Sequence, residues 1–176
     1  MLGENNASKL TSVRVGVIGV GGVGSWSANA LVRSGVNKIT LVDPDIIVES
    51  NINRQCHADY DNLGKPKVVA MEEMLRRINP SVEVTGYDEE FCEANAKNDA
   101  LLSKVRYTLR RHHEFPRSTV MKVSCITSTE LSKKARAGSS RISCSGYGSI
   151  VTVTATMGLL AASEAITQII KKELPL

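Results

Sequence analysis

Hydrophobic and polar positions in the first half of the chain follow two periodicities. Apolar, β-branched runs at 13–18 and 38–42 are typical of buried parallel strands, and a third run at 82–87 alternates as a strand does. Helical spacing separates them, first from Ser25 to Arg33 and again after Gly64, where Pro66 lies in the first turn. This order predicts an α/β fold with a Rossmann-like, mostly parallel sheet flanked by helices.

The remaining segments carry weaker patterns. The polar lead-in is predicted to be a loose or helical arm, and the stretch rich in Asp, Asn and Ser that follows the second strand is predicted to be a long functional loop with room for a helical turn. Downstream, the patterns predict a basic amphipathic helix at 101–113, a strand at 120–126, a basic loop at 127–140 and a Gly/Ser-rich linker at 141–149. A solvated face is the preferred interpretation of the basic helix, with contact to RNA phosphates as the alternative.

The last apolar stretch, Ile150 to Lys172, is predicted to be a helix. Its length approaches the ~20 residues of a membrane span. Glu164 interrupts it, however, and the cost of a carboxylate in the middle of a membrane favours packing against the sheet or a partner subunit.

Composition narrows the class of protein only slightly. With 23% charged and 42% hydrophobic residues among 176, the chain is expected to be soluble and globular. A net charge of +4 permits an acidic partner such as RNA without arguing for one. The four cysteines are widely spaced, which argues against structural zinc, and the polar start predicts no signal peptide. We therefore expect a cytoplasmic protein, with membrane association through the last helix as the alternative.

The strongest local motif is Gly19-x-Gly21-x-x-Gly24, with Gly22 inside it, directly after the first predicted strand. Glycines allow a sharp turn and let backbone N–H groups approach an anion, and the following helix start favours a phosphate. Asp43 ends the second strand, where an acceptor meets ribose hydroxyls in dinucleotide sites. This context predicts nucleotide binding, although the glycine spacing alone also fits a NAD site.

Two cations follow the nucleotide motif, Arg54 and Lys67. They could hold and activate phosphates, a task that a dehydrogenase does not have, since phosphoryl and adenylyl transfer depend on positioning and charge neutralisation. Two alternatives stay open from chemistry alone. Arg54 could form a surface ion pair with a neighbour such as Asp59, and Lys67 could be a solvated helix start.

The motifs at 19–24, 43–45 and 50–55, with Gly64-x-x-Lys67 and the segment 77–80, resemble the E1-like adenylating superfamily of ThiF, MoeB and the ubiquitin-activating enzymes. They occur in the family's order over residues 13–80. Within that superfamily, the segments 125–130, 145–149 and 153–158 resemble the tRNA threonylcarbamoyladenosine dehydratases, the TcdA/CsdL group. The absence of paired zinc cysteines fits the same group.

The resemblance implies homodimers that use ATP and magnesium, with no zinc. The implied reaction activates the carboxylate of threonylcarbamoyladenosine in tRNA, after which internal attack closes a ring with net loss of water. Arg54 and Lys67 would be catalytic, and the metal ligands stay unassigned. The implied nucleotide-binding set is Gly19, Gly21, Gly22, Gly24, Asp43, Asp45, Asn51, Arg54, Gln55 and Lys67. Cys125 is a conceivable nucleophile, but a small buried core residue is the preferred interpretation.

The chain departs from the family after Glu90, where about two βα units of ~30 residues each are missing. The resulting single domain has an arm (1–12), a Rossmann-type ATP-binding half (13–90), a shortened middle (91–149) and an apolar helix (150–176). Either the natural protein is longer, which we favour, or this is a reduced relative that binds a nucleotide without catalysis. A further alternative is adenylation of a ubiquitin-like sulfur-carrier protein, with a sulfur-transfer partner.

Overall fold

The computed structural model describes residues 4–88 and 150–171, all within one compact unit. Its helices and strands are α1 (Glu4–Ser12), β1 (Arg14–Ile18), α2 (Gly24–Arg33), β2 (Lys38–Val42), α3 (Lys67–Ile78), β3 (Glu83–Tyr87) and α4 (Val151–Lys171). Two short 3₁₀ turns, Glu49–Asn51 and Tyr60–Asn62, lie in the connection between β2 and α3.

The three strands form a parallel sheet in the order β1-β2-β3. Thr40 of β2 is in register with Gly16 of β1 on one side and Thr85 of β3 on the other. This order matches one half of a doubly wound sheet, in which nucleotides bind beyond the carboxyl ends of the strands. The predicted parallel sheet flanked by helices is therefore confirmed.

The main core lies where β2 meets α2 and α3. Ile39 and Leu41 of β2 are fully buried on one face of the strand, because residues two apart point the same way. They share a cluster with Val32 of α2 and with Met71 and Leu75 of α3. Each such side chain contributes about 1.5–3 kcal/mol on burial, so this cluster fixes the sheet edge at which the polar residues gather.

A second cluster holds α4 in place. Ala162 of α4 is buried with Leu10 of α1 and Leu31 of α2, and Val15 of β1 packs against them. The predicted packing of this helix against the body of the protein is thus observed, mainly on other helices. By length and composition alone α4 could also cross a membrane, and 17% of its most apolar window is buried.

Several predicted boundaries shift slightly. The N-terminal arm is helical from Glu4, and the loop after β2 contains two helical turns. Pro66 precedes α3 as its N-cap residue, whereas the sequence predicted it inside the first turn. The predicted elements at 101–113, 120–126, 127–140 and 141–149, together with Cys125, lie outside the described residues.

Candidate nucleotide-binding site

The glycine loop leaves β1 through a turn that only small residues permit. Gly19 has a φ of +84°, and its N–H donates to the Val42 carbonyl of β2 at 2.8 Å. A Cβ on Gly24, the first residue of α2, would lie 1.8 Å from the Gly19 carbonyl oxygen. The fold itself therefore demands glycine at both ends of the loop.

The middle of the loop is different. A Cβ on Gly21 would meet no heavy atom within 4 Å, so the protein's own packing does not require glycine there. A Cβ on Gly22 would lie 3.3 Å from Cδ of Arg54 and 3.1 Å from Cγ2 of Thr154 in α4. Open space over Gly21 suits the close approach of a ligand, while Gly22 makes room for a predicted catalytic residue.

Asp43 connects the loop to the end of β2. It is only 5% exposed, and its Oδ2 accepts from the Val20 N–H of the glycine loop at 2.6 Å. Its Oδ1 accepts from the Asp45 N–H at 3.0 Å. The carboxylate therefore holds the loop in shape, a role that the sequence did not indicate. Each oxygen has a second lone pair, so the predicted ribose contact is compatible with this geometry.

Lys67, the first residue of α3, points into the same place. Its Nζ lies 3.6 Å from Oδ1 of Asp43 and forms a close ion pair with Oδ2 of Asp45, whose side chain is 66% exposed. The Lys67 side chain is almost fully buried, so the alternative of a solvated helix start is wrong. Asp43, Asp45 and Lys67 form one charged group at the end of the sheet.

Arg54 is held beside the loop by three hydrogen bonds. Its Nη1 donates to the Ser50 carbonyl at 2.6 Å and to Oδ1 of Asn53 at 2.9 Å, and its own carbonyl accepts from Nε1 of Trp26 at 3.0 Å. The Asp59 carboxylate instead accepts from the Asn62 N–H. Among residues 4–88 and 150–171, no carboxylate pairs with Arg54, so the predicted alternative of an ion pair with Asp59 is wrong.

Asn51 and Gln55 are buried in the same segment. The Asn51 Oδ1 accepts from the Val48 N–H at 3.2 Å, and its carbonyl accepts from the Gln55 N–H at 3.0 Å. The Gln55 Oε1 is buried and, within the described part of the chain, has no hydrogen-bond partner. A buried acceptor without a partner is costly, so Gln55 is a candidate for contact with a bound ligand.

His57 is a buried polar residue that the sequence did not single out. It is fully buried, and neither ring nitrogen has a partner among the residues described. Burial lowers its pKa to about 4, and the charge of Lys67 acts in the same direction. The imidazole is therefore neutral at physiological pH. Its place two positions after Gln55 was the only available signal, and no motif uses it.

The described residues do not supply a metal site. No group of three or more His, Cys, Asp or Glu side chains comes together within them. The nearest carboxylates to the loop, Asp43 and Asp45, are engaged with Lys67. Cys56 does not behave as a thiolate ligand, because burial raises its pKa to about 11.

A parallel βαβ unit with a glycine loop after the first strand and a carboxylate after the second defines a Rossmann-like nucleotide-binding protein. The model of the ThiF family matches residues 1–110, well over half of the sequence. The chain therefore belongs to the ThiF family, and the E1-like resemblance is confirmed.

Relatives and solved structures narrow the comparison. The chain is 29% identical to the tRNA threonylcarbamoyladenosine dehydratase of Escherichia coli, over 98% of this chain and 91% of that protein. The crystal structure of the E. coli dehydratase TcdA with AMP gives a TM-score of 0.78 at 26% identity, covering 95% of this chain and 89% of the other; a complex with ATP gives 0.76. The Sulfur carrier protein ThiS adenylyltransferase of Bacillus subtilis is 40% identical over 87 residues, 48% of this chain and 26% of that protein.

The alignment length bears on the missing middle. The comparison with the E. coli dehydratase spans 245 positions, whereas this chain has 176 residues. The alignment must therefore open gaps in this chain whose total is comparable to two βα units of about 30 residues each. This agrees with the departure from the family pattern seen in the sequence.

Proposed function

We propose that this chain binds ATP and uses it to activate the carboxylate of threonylcarbamoyladenosine in tRNA, so that internal attack closes a ring and one water is lost overall. The observation that carries the proposal is the placement of Arg54 against the open glycine loop at Gly22. Similarity over nearly the whole chain to a tRNA threonylcarbamoyladenosine dehydratase supports the choice of substrate.

The described residues fit the nucleotide. The loop around Gly21 has space for phosphate oxygens, and the start of α2 directs its unpaired N–H groups toward them. The unpartnered Gln55 Oε1 and the remaining lone pairs of Asp43 offer acceptors to the sugar or base. When bound, ATP supplies the electrophilic phosphorus that turns a carboxylate oxygen into a leaving group.

The two cations have distinct tasks under this proposal. Every described hydrogen bond of the Arg54 guanidinium uses Nη1, so Nε and Nη2 have no partner among the described residues and can face phosphate oxygens as a planar fork. Lys67 is a point charge held by Asp43 and Asp45 at the base of the loop. Both would neutralise charge that develops during transfer.

Magnesium and the partners are proposed from the resemblance. The described residues offer magnesium no ligand group, and we derive no step through it. We propose tRNA as the substrate-bearing partner, a homodimer as the assembly and the cytoplasm as the compartment. The exposed side chains of Leu159 and Leu160 on α4 are available to a second copy.

Adenylation of a ubiquitin-like sulfur carrier is the second candidate. The 40% identity to the B. subtilis ThiS adenylyltransferase favours it over residues of this chain that include the nucleotide half. Both reactions activate a carboxylate with ATP, so they differ in the acceptor and share the need for Arg54 and Lys67.

The test is nucleoside mass spectrometry of threonylcarbamoylated tRNA incubated with the chain, ATP and magnesium. We expect ATP-dependent loss of one water from the modified adenosine. Arg54→Ala should abolish this change while the protein remains folded, and Arg76→Ala, which removes an exposed arginine paired with Glu72, should leave it intact. Full turnover in Arg54→Ala would overturn the proposal, and ATP binding without any mass change in the unaltered chain would favour a non-catalytic relative.

A further inference from the structure

We propose that Trp26 is a positioning residue for Arg54, which its indole N–H fixes beside the glycine loop. Trp26 is the chain's single tryptophan and lies near the start of α2, the helix that the loop opens. Its Nε1 donates to the Arg54 carbonyl at 3.0 Å, and the bond is partly buried. The indole thus connects the phosphate-facing helix to the segment that carries the arginine.

The Arg54 side chain is fixed at two further points. Its Cδ occupies the space that a Cβ on Gly22 would approach to 3.3 Å, so the aliphatic stem crosses the loop itself. Its Nη1 donates to the Ser50 carbonyl at 2.6 Å. Because the Trp26 bond fixes the backbone of the same residue, loss of the indole N–H frees the one contact that joins Arg54 to α2.

Helix α4 in turn holds Trp26. A Cβ on Gly158 would lie 2.8 Å from Cβ of Trp26 and 2.6 Å from the Val23 carbonyl oxygen, so the two helix backbones are in close contact there. The Ser27 hydroxyl donates to the Gly158 carbonyl at 3.0 Å. The indole cannot move away from Arg54 without displacing α4, which makes the contacts from Gly158 through Trp26 to Arg54 a continuous mechanical support.

A purely structural tryptophan would stabilise the fold by packing, with its N–H satisfied by whichever carbonyl is near. The two roles differ in what removal of the hydrogen alone does. Because the chain has one tryptophan, growth on 3-benzothienylalanine replaces Trp26 selectively with a ring of nearly the same shape that has sulfur in place of N–H.

The first readout needs no ATP. The Arg54 and Gln55 amides donate to the Asn51 carbonyl at 3.1 and 3.0 Å, and their hydrogen exchange should be about tenfold faster in the benzothienylalanine chain, as expected for loss of one hydrogen bond. Exchange within β2 and the thermal midpoint should stay unchanged. Equal exchange at Arg54 and Gln55 in the two chains would overturn the proposal, whether or not the proposed function is correct.

The second readout rests on the proposed function. In a double-mutant cycle, Trp26→Phe should weaken ATP binding or turnover about tenfold in the unaltered background and have no further effect in Arg54→Ala. Independent, multiplying losses would contradict the role of Trp26 through Arg54. If the unaltered chain lacks dehydratase activity altogether, the exchange measurement still decides the matter.

Discussion

The ammonium group of Lys67 lies 3.6 Å from a carboxylate oxygen of Asp43, and both side chains are almost fully buried. The pair joins the start of α3 to the end of β2, and Asp43 passes the connection on to the glycine loop through the Val20 N–H. The residue predicted to bind phosphate is therefore also a structural element of the loop that would receive it.

Replacing Lys67 by methionine should destabilise the fold by about 3 kcal/mol, because the buried Asp43 carboxylate loses its compensating charge. Asp45→Asn is the matched control. It breaks the other ion pair of the same lysine, but its side chain is largely exposed, so the cost should be below about 1 kcal/mol. Urea denaturation at pH 7 measures both, and equal losses would contradict the assignment of the buried pair to Asp43.

Gly24→Ala and Gly21→Ala should separate folding from binding within one loop. The Cβ of alanine at 24 would lie 1.8 Å from the Gly19 carbonyl oxygen, so this variant should lose the folded state or express poorly. Alanine at 21 meets nothing within 4 Å and should fold normally.

If phosphates approach the backbone at Gly21, the folded Gly21→Ala variant should bind ATP at least about tenfold more weakly, as judged by calorimetry. Undiminished ATP affinity in Gly21→Ala would show that the phosphates lie elsewhere. A stable Gly24→Ala variant would mean that the loop can open at its base.

The strands and the glycine loop could be predicted because their signals are local. Apolar runs of five or six residues, the glycine spacing and the acidic residue after β2 all lie within 13–43. The contacts that complete the site are not local. Lys67 reaches Asp43 across more than 20 positions, and Gly22 meets Thr154 of α4 from the far end of the chain. Sequence spacing carries no information about such pairs.

His57 shows a second limit of the sequence. Periodicity identifies apolar core residues, but a histidine inside a polar, irregular loop carries no periodic signal, and only the fold shows that it is fully buried. The role of Asp43 was incomplete for a related reason. Its position predicted an acceptor, whereas the donors that engage it, the N–H groups of Val20 and Asp45, are set by the path of the backbone.

The buried His57 should make stability depend on pH on the acid side. Its pKa in the folded state is about 4, below the ordinary 6.5, so the unfolded chain binds more protons between these values. The contribution is fully present above pH 6.5 and is lost as pH falls toward 4, by about 3 kcal/mol in all.

His57→Leu should flatten this part of the curve of unfolding free energy against pH, measured by urea denaturation from pH 7 to 4. The paired variant His112→Gln, His113→Gln, which changes the other two histidines, should keep the acid loss. An unchanged slope in His57→Leu would assign the effect to carboxylates instead.

Gly158→Ala should loosen α4 from α2. The added Cβ would lie 2.6 Å from the Val23 carbonyl oxygen and 2.8 Å from Cβ of Trp26, so one helix must shift, at a cost of about 1–3 kcal/mol. Gly16→Ala in β1 is the control, since a Cβ there meets nothing within 4 Å. Urea denaturation should show a loss in Gly158→Ala alone, and faster amide exchange at Arg54 should accompany it because Trp26 moves with the displaced contact. A Gly158→Ala variant as stable as Gly16→Ala would mean that the backbones of α2 and α4 are farther apart in solution than described, and the support that α4 gives to Trp26 would be lost with it.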